Sequence, residues 1–187
     1  MTANAGSGHP GGSLSAVELM TSVFHNHMRL DPKNPKWEDR DRFVLSKGHS
    51  GSLLLCGPRA VWASSSRSEY ANFRQLHSIL QGHPDCKKVP GVDASTGSLG
   101  QGCSIAVGMA LGAKKLGKDT QVFTLLGDGE CQEGQIWEAF MSAAHYQPGQ
   151  SDCHYRQQRP ADRWHQRRGH VFGRSARQAA GLRLRPV

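Results

Sequence analysis

The stretch VFTLLGDGECQEGQIWEA, residues 122–139, decides the fold of this chain. Residues 121–126 form a nearly unbroken apolar run of the length expected for a buried β-strand. A tight glycine–aspartate–glycine turn follows, and residues 136–146 then carry apolar side chains at helical spacing, with a possible helix start near residue 132. A buried strand, a turn and a helix in this order predict an α/β fold with a mainly parallel sheet.

Four further elements are predicted from apolar spacing and capping signals. They are an amphipathic helix over residues 15–30, a short buried strand over residues 43–45, a helix over residues 70–80, and a buried helix of small side chains over residues 104–116. Ser15 and Glu18 fit a capping box at the start of the first helix. The alternation of strands and helices supports the same α/β class.

Asp128 lies in the turn at the end of the predicted strand, between Gly127 and Gly129. Ligands of doubly wound sheets bind at the carboxyl ends of the strands, and glycines let the backbone approach a phosphate. A carboxylate would repel a phosphate there unless it held Mg²⁺ between them. The alternative is an ordinary Asp-Gly turn without a ligand.

A second glycine-rich turn, GSLGQG at residues 97–102, precedes the predicted helix over 104–116 and is a second candidate cradle for a diphosphate. A purely structural turn is the alternative. His9, His49 and His83 each follow a glycine and lie outside the apolar helix faces. Histidines in such loops can donate hydrogen bonds to phosphate or sugar hydroxyls, or move protons.

The net charge of +8 is concentrated in one segment of the chain. Residues 151–187 contain nine arginines, no lysine and two aspartates, whereas residues 1–150 contain 14 basic and 13 acidic side chains. A non-catalytic protein that binds nucleic acid through this basic tail is therefore an alternative. Only Tyr155, Trp164 and Phe172 supply aromatic rings in the tail, at irregular spacing, so nucleic acid is not the expected partner.

The remaining composition points to the cytoplasm. Five cysteines at positions 56, 86, 103, 131 and 153 form no CxxC pair and no metal-ligand spacing, which is typical of free thiols in a reducing compartment. No apolar run has the length needed to cross a bilayer, so no membrane association is expected.

Five motifs together resemble transketolase in its order and spacing. They are GSGHPGGSLSAVEL, DRDRFVLSKGHS, LQGHPD, GVDASTGSLGQGCSIAVGMA and LLGDGECQEGQIWEA. The resemblance implies a parallel-sheet thiamine-diphosphate-binding fold, here incomplete, and the transfer of a two-carbon ketol unit from a ketose to an aldose. Other thiamine-diphosphate enzymes, of the deoxyxylulose-phosphate synthase or dihydroxyacetone synthase type, are the alternative within this class.

The resemblance also implies a role for each matching residue. The diphosphate would contact His49, Gly97, Ser98, Leu99, Gly127 and Gly129, and Asp128 would be a ligand of Mg²⁺. His9 and His83 would face the thiazolium carbon and the hydroxyls of the sugar donor. Glu133 would join a glutamate network at the subunit interface.

The resemblance implies partners as well. The glutamate that activates the aminopyrimidine lies on a separate domain in this family. A C-terminal transketolase subunit or domain is therefore expected, in a homo- or hetero-oligomer that acts on sugar phosphates.

The resemblance ends at about residue 147, which predicts a thiamine-diphosphate-binding domain over 1–147 and an aberrant tail over 148–187. The tail shows no strand pattern and is expected to be disordered. Codons for SDCHYRQQRPADRWHQRRGHV, read one base later, can encode LIAIIDNNGLQIDGTNEEVM, which resembles the family's next strand and its Asp-Asn-Asn-Gly turn. A similar shift fits residues 56–68. We therefore expect two frameshifts, a start at an internal methionine, and impaired Mg²⁺ binding and activity.

Overall fold

Three short parallel strands form one sheet in the order β1–β2–β3. The computed structural model describes residues 1–61, 67–147 and 151–155 of the 187-residue chain. β1 is Arg42–Leu45, β2 is Val122–Leu126 and β3 is Ser151–Tyr155. Arg42 pairs with Val122 across β1 and β2, and Val122 pairs with Ser151 across β2 and β3. The two predicted strands, over 43–45 and 121–126, are confirmed as β1 and β2.

Six α-helices surround this sheet in the described part of the chain. They are α1 Thr2–Ala5, α2 Pro10–Leu14, α3 Val17–Ser22, α4 Gly51–Val61, α5 Gln101–Lys115 and α6 Gly134–Tyr146. A π-helical turn, Val23–His27, continues α3, and 3-10 turns lie at Gly48–Ser50, Arg67–Asn72 and Glu130–Gln132. None of these helices has both the length and the apolar character needed to cross a membrane.

Both faces of the sheet are covered, as expected for parallel strands. Phe43, Leu45, Phe123 and Leu125 point to one face, where they join a buried cluster with side chains of α3, its π-helical turn and α4. Because side chains alternate along a strand, Leu126 and its neighbours point to the opposite face and pack against α5 and α6. The confirmed α/β architecture therefore places β1 and β2 in the centre of the core.

Buried carboxylates fix the amino ends of β1 and β2. Asp93 accepts two hydrogen bonds from the guanidinium of Arg40, at 2.6 and 3.1 Å, and one from the backbone N–H of Phe43 at 2.8 Å. Asp41 accepts the N–H of Gln121 at 2.9 Å. These bonds set the register of the strands, and the opposite end of the sheet is left for the loops that carry the histidines and glycines.

The predicted helix over residues 15–30 is shorter and less regular than its pattern suggests. It begins at Val17 and ends with the π-helical turn at His27. The predicted cap by Ser15 is wrong, because the Ser15 hydroxyl donates to the Gly12 carbonyl at 3.0 Å and no side chain caps α3. This serine bonds back to the preceding turn, three residues earlier, and does not cap the helix that follows.

The predicted helix over residues 70–80 is also wrong. Arg74 and His77 have positive φ angles of 62° and 66°, which a right-handed helix excludes. The N–H of Arg74 instead donates to the Leu80 carbonyl at 2.8 Å and closes a loop. Phe73 and Leu80, both 1% exposed, anchor the two ends of this loop, so its apolar residues are buried at two points and not along one helix face.

The predictions for the two aberrant segments have different outcomes. Residues 151–155 form β3 although their sequence has no strand pattern, which corrects the expectation that nothing after residue 147 forms a strand. The edge of β2 offers backbone donors and acceptors whatever side chains the partner strand carries. The predicted disorder of the remaining tail, 156–187, lies outside the described residues. α4 extends into the segment 56–68 as far as Val61, and residues 62–66 are likewise outside the described part.

Candidate functional site

The loops that follow β1 and β2 meet at the carboxyl edge of the sheet because the two strands are parallel. Glu130, only 2% exposed, joins them. Its Oε1 accepts the Ser46 hydroxyl at 2.5 Å and the N–H of Gly100 at 2.9 Å, and its Oε2 accepts the N–H of Gly127 at 2.9 Å. One buried carboxylate therefore holds the loop after β1, the loop after β2 and the glycine turn before α5.

Lys47 connects a further loop to this edge. Its side chain is buried, and Nζ donates to the Gly12 carbonyl at 3.0 Å and contacts the Ser15 hydroxyl at 3.3 Å. A methyl group built on Gly127 would lie 3.6 Å from both Lys47 Cδ and Glu130 Cβ. A buried cation and a buried anion thus flank Gly127, and the cation keeps the α2 segment against the loop after β1.

The three histidines in glycine-flanked loops lie close to one another. The ring centroids of His9 and His49 are 5.2 Å apart. The ring of His83 packs beside Gly97, since a methyl group there would lie 3.4 Å from His83 Cδ2. His9 and His83 are exposed and His49 is half-buried, so the group opens to solvent with His49 at its base.

Burial and neighbouring positive charge both lower the pKa values of His49 and His83. Burial lowers the pKa of His49, and His9, Lys47 and His83 lower it further. Burial likewise lowers the pKa of His83, followed by the charges of His9 and Arg74. None of the charges that shift these two pKa values is a carboxylate. An anion that approaches His49 and His83 would therefore meet hydrogen-bond donors.

Small residues let these loops approach one another closely. A methyl group on Gly12 would lie 2.9 Å from Ser50 Oγ and 3.1 Å from the ring of His49, and one on Gly102 would lie 2.6 Å from Ser46 Cα. The buried hydroxyl of Ser50 has no hydrogen-bond partner among the described residues. A buried donor without an acceptor beside His49 fits a site for a ligand rich in acceptor oxygens.

Asp128 and Gly129 leave polar groups available at the end of β2. The Asp128 carboxylate and the N–H groups of both residues make no hydrogen bond to any described residue. Free N–H groups in a turn suit a diphosphate, so this part of the site fits the predicted cofactor. The metal is only partly accounted for, because no group of three or more histidine, cysteine, aspartate or glutamate residues in the described ranges can hold an ion. The carboxylate of Asp128 alone supplies only part of the six oxygen ligands that Mg²⁺ requires.

The predicted site residues fall into two groups and one outlier. His9, His49, His83 and the turn of Gly97, Ser98 and Leu99 form the first group, and Gly127, Asp128 and Gly129 form the second. Lys47 and Glu130 lie between them. Glu133 is exposed and directly precedes α6. Its Cβ would lie 3.4 Å from a methyl group on Gly100, so it remains at the rim of the site.

Residues 1–159 match the family model described as transketolase, thiamine diphosphate binding domain. The match includes both groups of site residues and β3. The chain belongs to the transketolase family. Solved transketolase structures superpose on this transketolase-family chain. Transketolase from Campylobacter jejuni subsp. jejuni NCTC 11168 superposes with a TM-score of 0.76 at 39% identity, covering 82% of this chain and 25% of that one.

Related sequences and a second solved structure extend the comparison. The 6-deoxy-6-sulfo-D-fructose transketolase subunit SqwG of Clostridium sp. (strain MSTE9) is 43% identical over 144 residues, which cover 74% of this chain and 50% of that protein. Transketolase-like protein 2 of Bos taurus is 46% identical over 149 residues, which cover 78% and 23%. Transketolase of Pichia stipitis in complex with sedoheptulose-7-phosphate has a TM-score of 0.69 at 34% identity, covering 82% and 24%. The aligned region is thus about half of SqwG and about a quarter of the longer relatives.

Two residues of the site were missed at the level of sequence. Lys47 lies inside the SKGHS motif and Glu130 follows the Gly-Asp-Gly turn, but neither was assigned a role. A charged residue directly after a buried strand is a weak signal by itself. Only the burial of both charges, and the convergence of three donors on Glu130, distinguishes them from ordinary surface residues.

Proposed function

We propose that this chain supplies the thiamine-diphosphate-binding part of a transketolase, which transfers a two-carbon ketol unit from a ketose to an aldose. The observation that carries the proposal is the convergence of the histidine cluster and the Gly127–Gly129 turn at one edge of a parallel sheet. The family supports the cofactor, and the relatives named for transketolase activity support the reaction.

Thiamine diphosphate, when bound, supplies the carbanion chemistry that breaks and forms the carbon–carbon bonds. The residues of this chain bind and orient. His49 and the N–H groups of Asp128 and Gly129 are the proposed donors to the diphosphate, with Gly97, Ser98 and Leu99 lining the approach. Since the N–H of Gly127 already donates to Glu130, Gly127 contributes close approach and no free donor.

His9 and His83 are the proposed contacts to the sugar. Both are exposed beside the half-buried His49, so they can meet hydroxyls of a substrate that enters from solvent. Burial and neighbouring positive charges lower the pKa of His83, which keeps its imidazole neutral near pH 7. A neutral imidazole can donate one hydrogen bond and accept another, and it can take up a proton from a hydroxyl.

Asp128 is the proposed ligand of Mg²⁺, and Glu133 is the proposed contact to a glutamate network of a partner. Mg²⁺ commonly keeps several waters and is bound by one or two carboxylates together with phosphate oxygens. The family's next ligands would come from the segment after β3, where this sequence departs from the family. We therefore propose that metal binding, and with it activity, is impaired in the chain as it stands.

A partner subunit or domain carrying the activating glutamate is required by this proposal. The transketolase-like relatives of cattle, mouse and human are about four times as long as the region that this chain matches. The expected assembly is a homo- or hetero-oligomer that acts on sugar phosphates in the cytoplasm.

An activity assay with the missing half tests the proposal. The chain is mixed with the separately produced remainder of a close transketolase, thiamine diphosphate and Mg²⁺, and ketol transfer from xylulose 5-phosphate to ribose 5-phosphate is followed. Activity that needs both proteins supports the proposal, and His83→Gln in the mixture should reduce it. Because activity of the chain as it stands is expected to be impaired, a chain with residues 148–187 re-read one base later is assayed beside it. If the mixture with this restored chain is inactive while the partner is active with its own N-terminal half, the proposal is contradicted.

A further inference from the structure

Three loops of the proposed cofactor site converge on one carboxylate that the resemblance leaves without a role. Glu130 receives the hydroxyl of Ser46 and the N–H of Gly100 on one oxygen, and the N–H of Gly127 on the other. The longest of these three bonds is 2.9 Å, and the side chain is among the most buried of the residues that the structure describes. A carboxylate that is removed from water requires such donors. The burial of the Glu130 carboxylate and the arrangement of the three loops therefore depend on one another.

We propose that Glu130 is a positioning residue, which orders the turn before α5 and the turn after β2 so that the free N–H groups of Asp128 and Gly129 face the cofactor's diphosphate. This inference rests on the proposed function for the identity of the ligand. The ordering of the two turns is a property of the chain itself and can be measured without a ligand.

The donor pattern explains why the role requires a carboxylate. Both oxygens accept, and two of the three donors are backbone N–H groups that cannot reverse their direction. A glutamine of the same shape would turn an amide NH₂ toward Gly127 or toward Gly100. In either orientation, one backbone N–H would lose its acceptor.

Close packing makes the turns sensitive to such a loss. Gly100 has a φ angle of 88° and packs against the side chains of Gln135 and Glu133, while Gly127 lies between Glu130 and Lys47. A shift of the Glu130 carboxylate would therefore move the peptide group of Gly127 in the turn after β2 and that of Gly100 in the turn before α5. Glu130 itself uses the N–H of Gly127 and leaves those of the next two residues for the ligand.

Asp93 provides a matched control at the other end of the sheet. It is also a buried carboxylate that accepts a backbone N–H, that of Phe43, together with two side-chain bonds from Arg40. Asp93→Asn should destabilise the fold as Glu130→Gln does. The carboxylate of Asp93, however, lies at the amino end of β1, and the cofactor edge is at the opposite end of that strand. A merely structural role for Glu130 predicts that the two variants behave alike.

The test combines amide hydrogen exchange of the full chain with cofactor binding. In Glu130→Gln, the exchange of the Gly127 or Gly100 amide should accelerate about tenfold more than that of Phe123 in β2. In Asp93→Asn, the local acceleration should appear at Phe43 and not at either glycine. Equal acceleration at all sites in Glu130→Gln would overturn the inference.

Titration with thiamine diphosphate and Mg²⁺, in the presence of the transketolase partner half, gives the second readout. Glu130→Gln should weaken binding about tenfold, and Asp93→Asn should leave the dissociation constant of the folded protein unchanged. Equal weakening in both variants would contradict a positioning role. If the cofactor failed to bind even to a chain with residues 148–187 re-read one base later, the proposed function would fail, and the exchange data would still decide whether Glu130 orders the turns.

Discussion

At the scale of single residues, the pattern of histidines after glycines predicts that three loops contribute to one site. The structure places His9, His49 and His83 near one another, although they are far apart along the chain. Their approach depends on the order of strands in the sheet, which the pattern of the loops does not encode. The roles of Lys47 and Glu130 could not be predicted either, because burial of a charge is a tertiary property.

The lowered pKa of His49 predicts a pH dependence of stability. The unfolded chain binds a proton on this histidine near its ordinary value of 6.5, whereas burial and nearby cations hold the folded pKa below it. Stability from this residue is therefore complete above pH 6.5 and decreases as the pH falls from 6.5 toward the folded pKa. His49→Gln should flatten the fall of Tm between about pH 8 and about pH 5.5, measured by thermal unfolding.

His27→Gln is the control for that experiment, because His27 is exposed on the π-helical turn that follows α3. It should leave the shape of the pH profile unchanged. The interpretation of His49 is contradicted if His49→Gln and the unaltered chain lose stability in parallel as the pH is lowered.

Two adjacent glycines of α2 provide a second test at this scale. A methyl group on Gly12 would meet Ser50 Oγ and the ring of His49, whereas one on Gly11 would meet nothing within 4 Å. Gly12→Ala should displace His49 and weaken binding of thiamine diphosphate about tenfold in the complex with the partner half. Gly11→Ala should bind normally and change stability by less than about 1 kcal/mol.

Calorimetric titration distinguishes the two variants. Unchanged affinity for thiamine diphosphate in Gly12→Ala would show that binding does not depend on the observed position of His49. The proposed contact from His49 to the diphosphate would then be excluded.

At the scale of elements, the apolar periodicity identifies β1, β2, α5 and α6. These elements bury one face or both faces against the core, so the pattern follows from burial. The same reasoning fails for residues 70–80, where the apolar side chains anchor the ends of a loop, and for β3, whose pairing depends on backbone groups. Periodicity therefore predicts packing against the core and does not predict which backbone edges find a partner.

Glycines of α5 provide a prediction at this scale. Gly102 faces Ser46 Cα, and an added methyl group would lie 2.6 Å from it, while Gly108 has nothing within 4 Å. Gly102→Ala should reduce the free energy of unfolding by roughly 1–3 kcal/mol, because the loop after β1 must move. Gly108→Ala should increase it by roughly 0.5–1 kcal/mol, because alanine favours a helix interior.

Urea unfolding of both variants measures these changes. A loss of stability in Gly108→Ala comparable to that in Gly102→Ala would mean that the helix, and not its approach to Ser46, determines the cost.

At the scale of the whole molecule, the family model covers residues 1–159, and residues 160–187 lie outside it. The family match continues to residue 159, past the predicted boundary at 147, and β3 lies within that extension. Backbone pairing can thus be retained where the side-chain pattern is lost. The frameshift interpretation predicts that the other reading frame would give this segment the apolar side chains of a strand.

Restoring the frame provides the corresponding prediction. A chain with residues 148–187 replaced by the sequence re-read one base later regains apolar strand side chains and an Asp-Asn-Asn-Gly turn with further oxygen ligands. It should bind Mg²⁺ and thiamine diphosphate more tightly than the unaltered chain, and it should unfold at a higher temperature. Resequencing of the DNA is the independent check. If residues 56–68 and 148–187 are both encoded in frame, the frameshift interpretation is contradicted.

The most direct test of the central claim is a calorimetric titration of the chain, mixed with the C-terminal half of a transketolase, with thiamine diphosphate in the presence and absence of Mg²⁺. We expect weak but saturable binding that requires Mg²⁺, that is lost in Asp128→Asn and that becomes tighter when residues 148–187 are re-read one base later. The absence of binding in the complete mixture, or binding that ignores both Mg²⁺ and Asp128, would contradict a diphosphate site at this edge of the sheet.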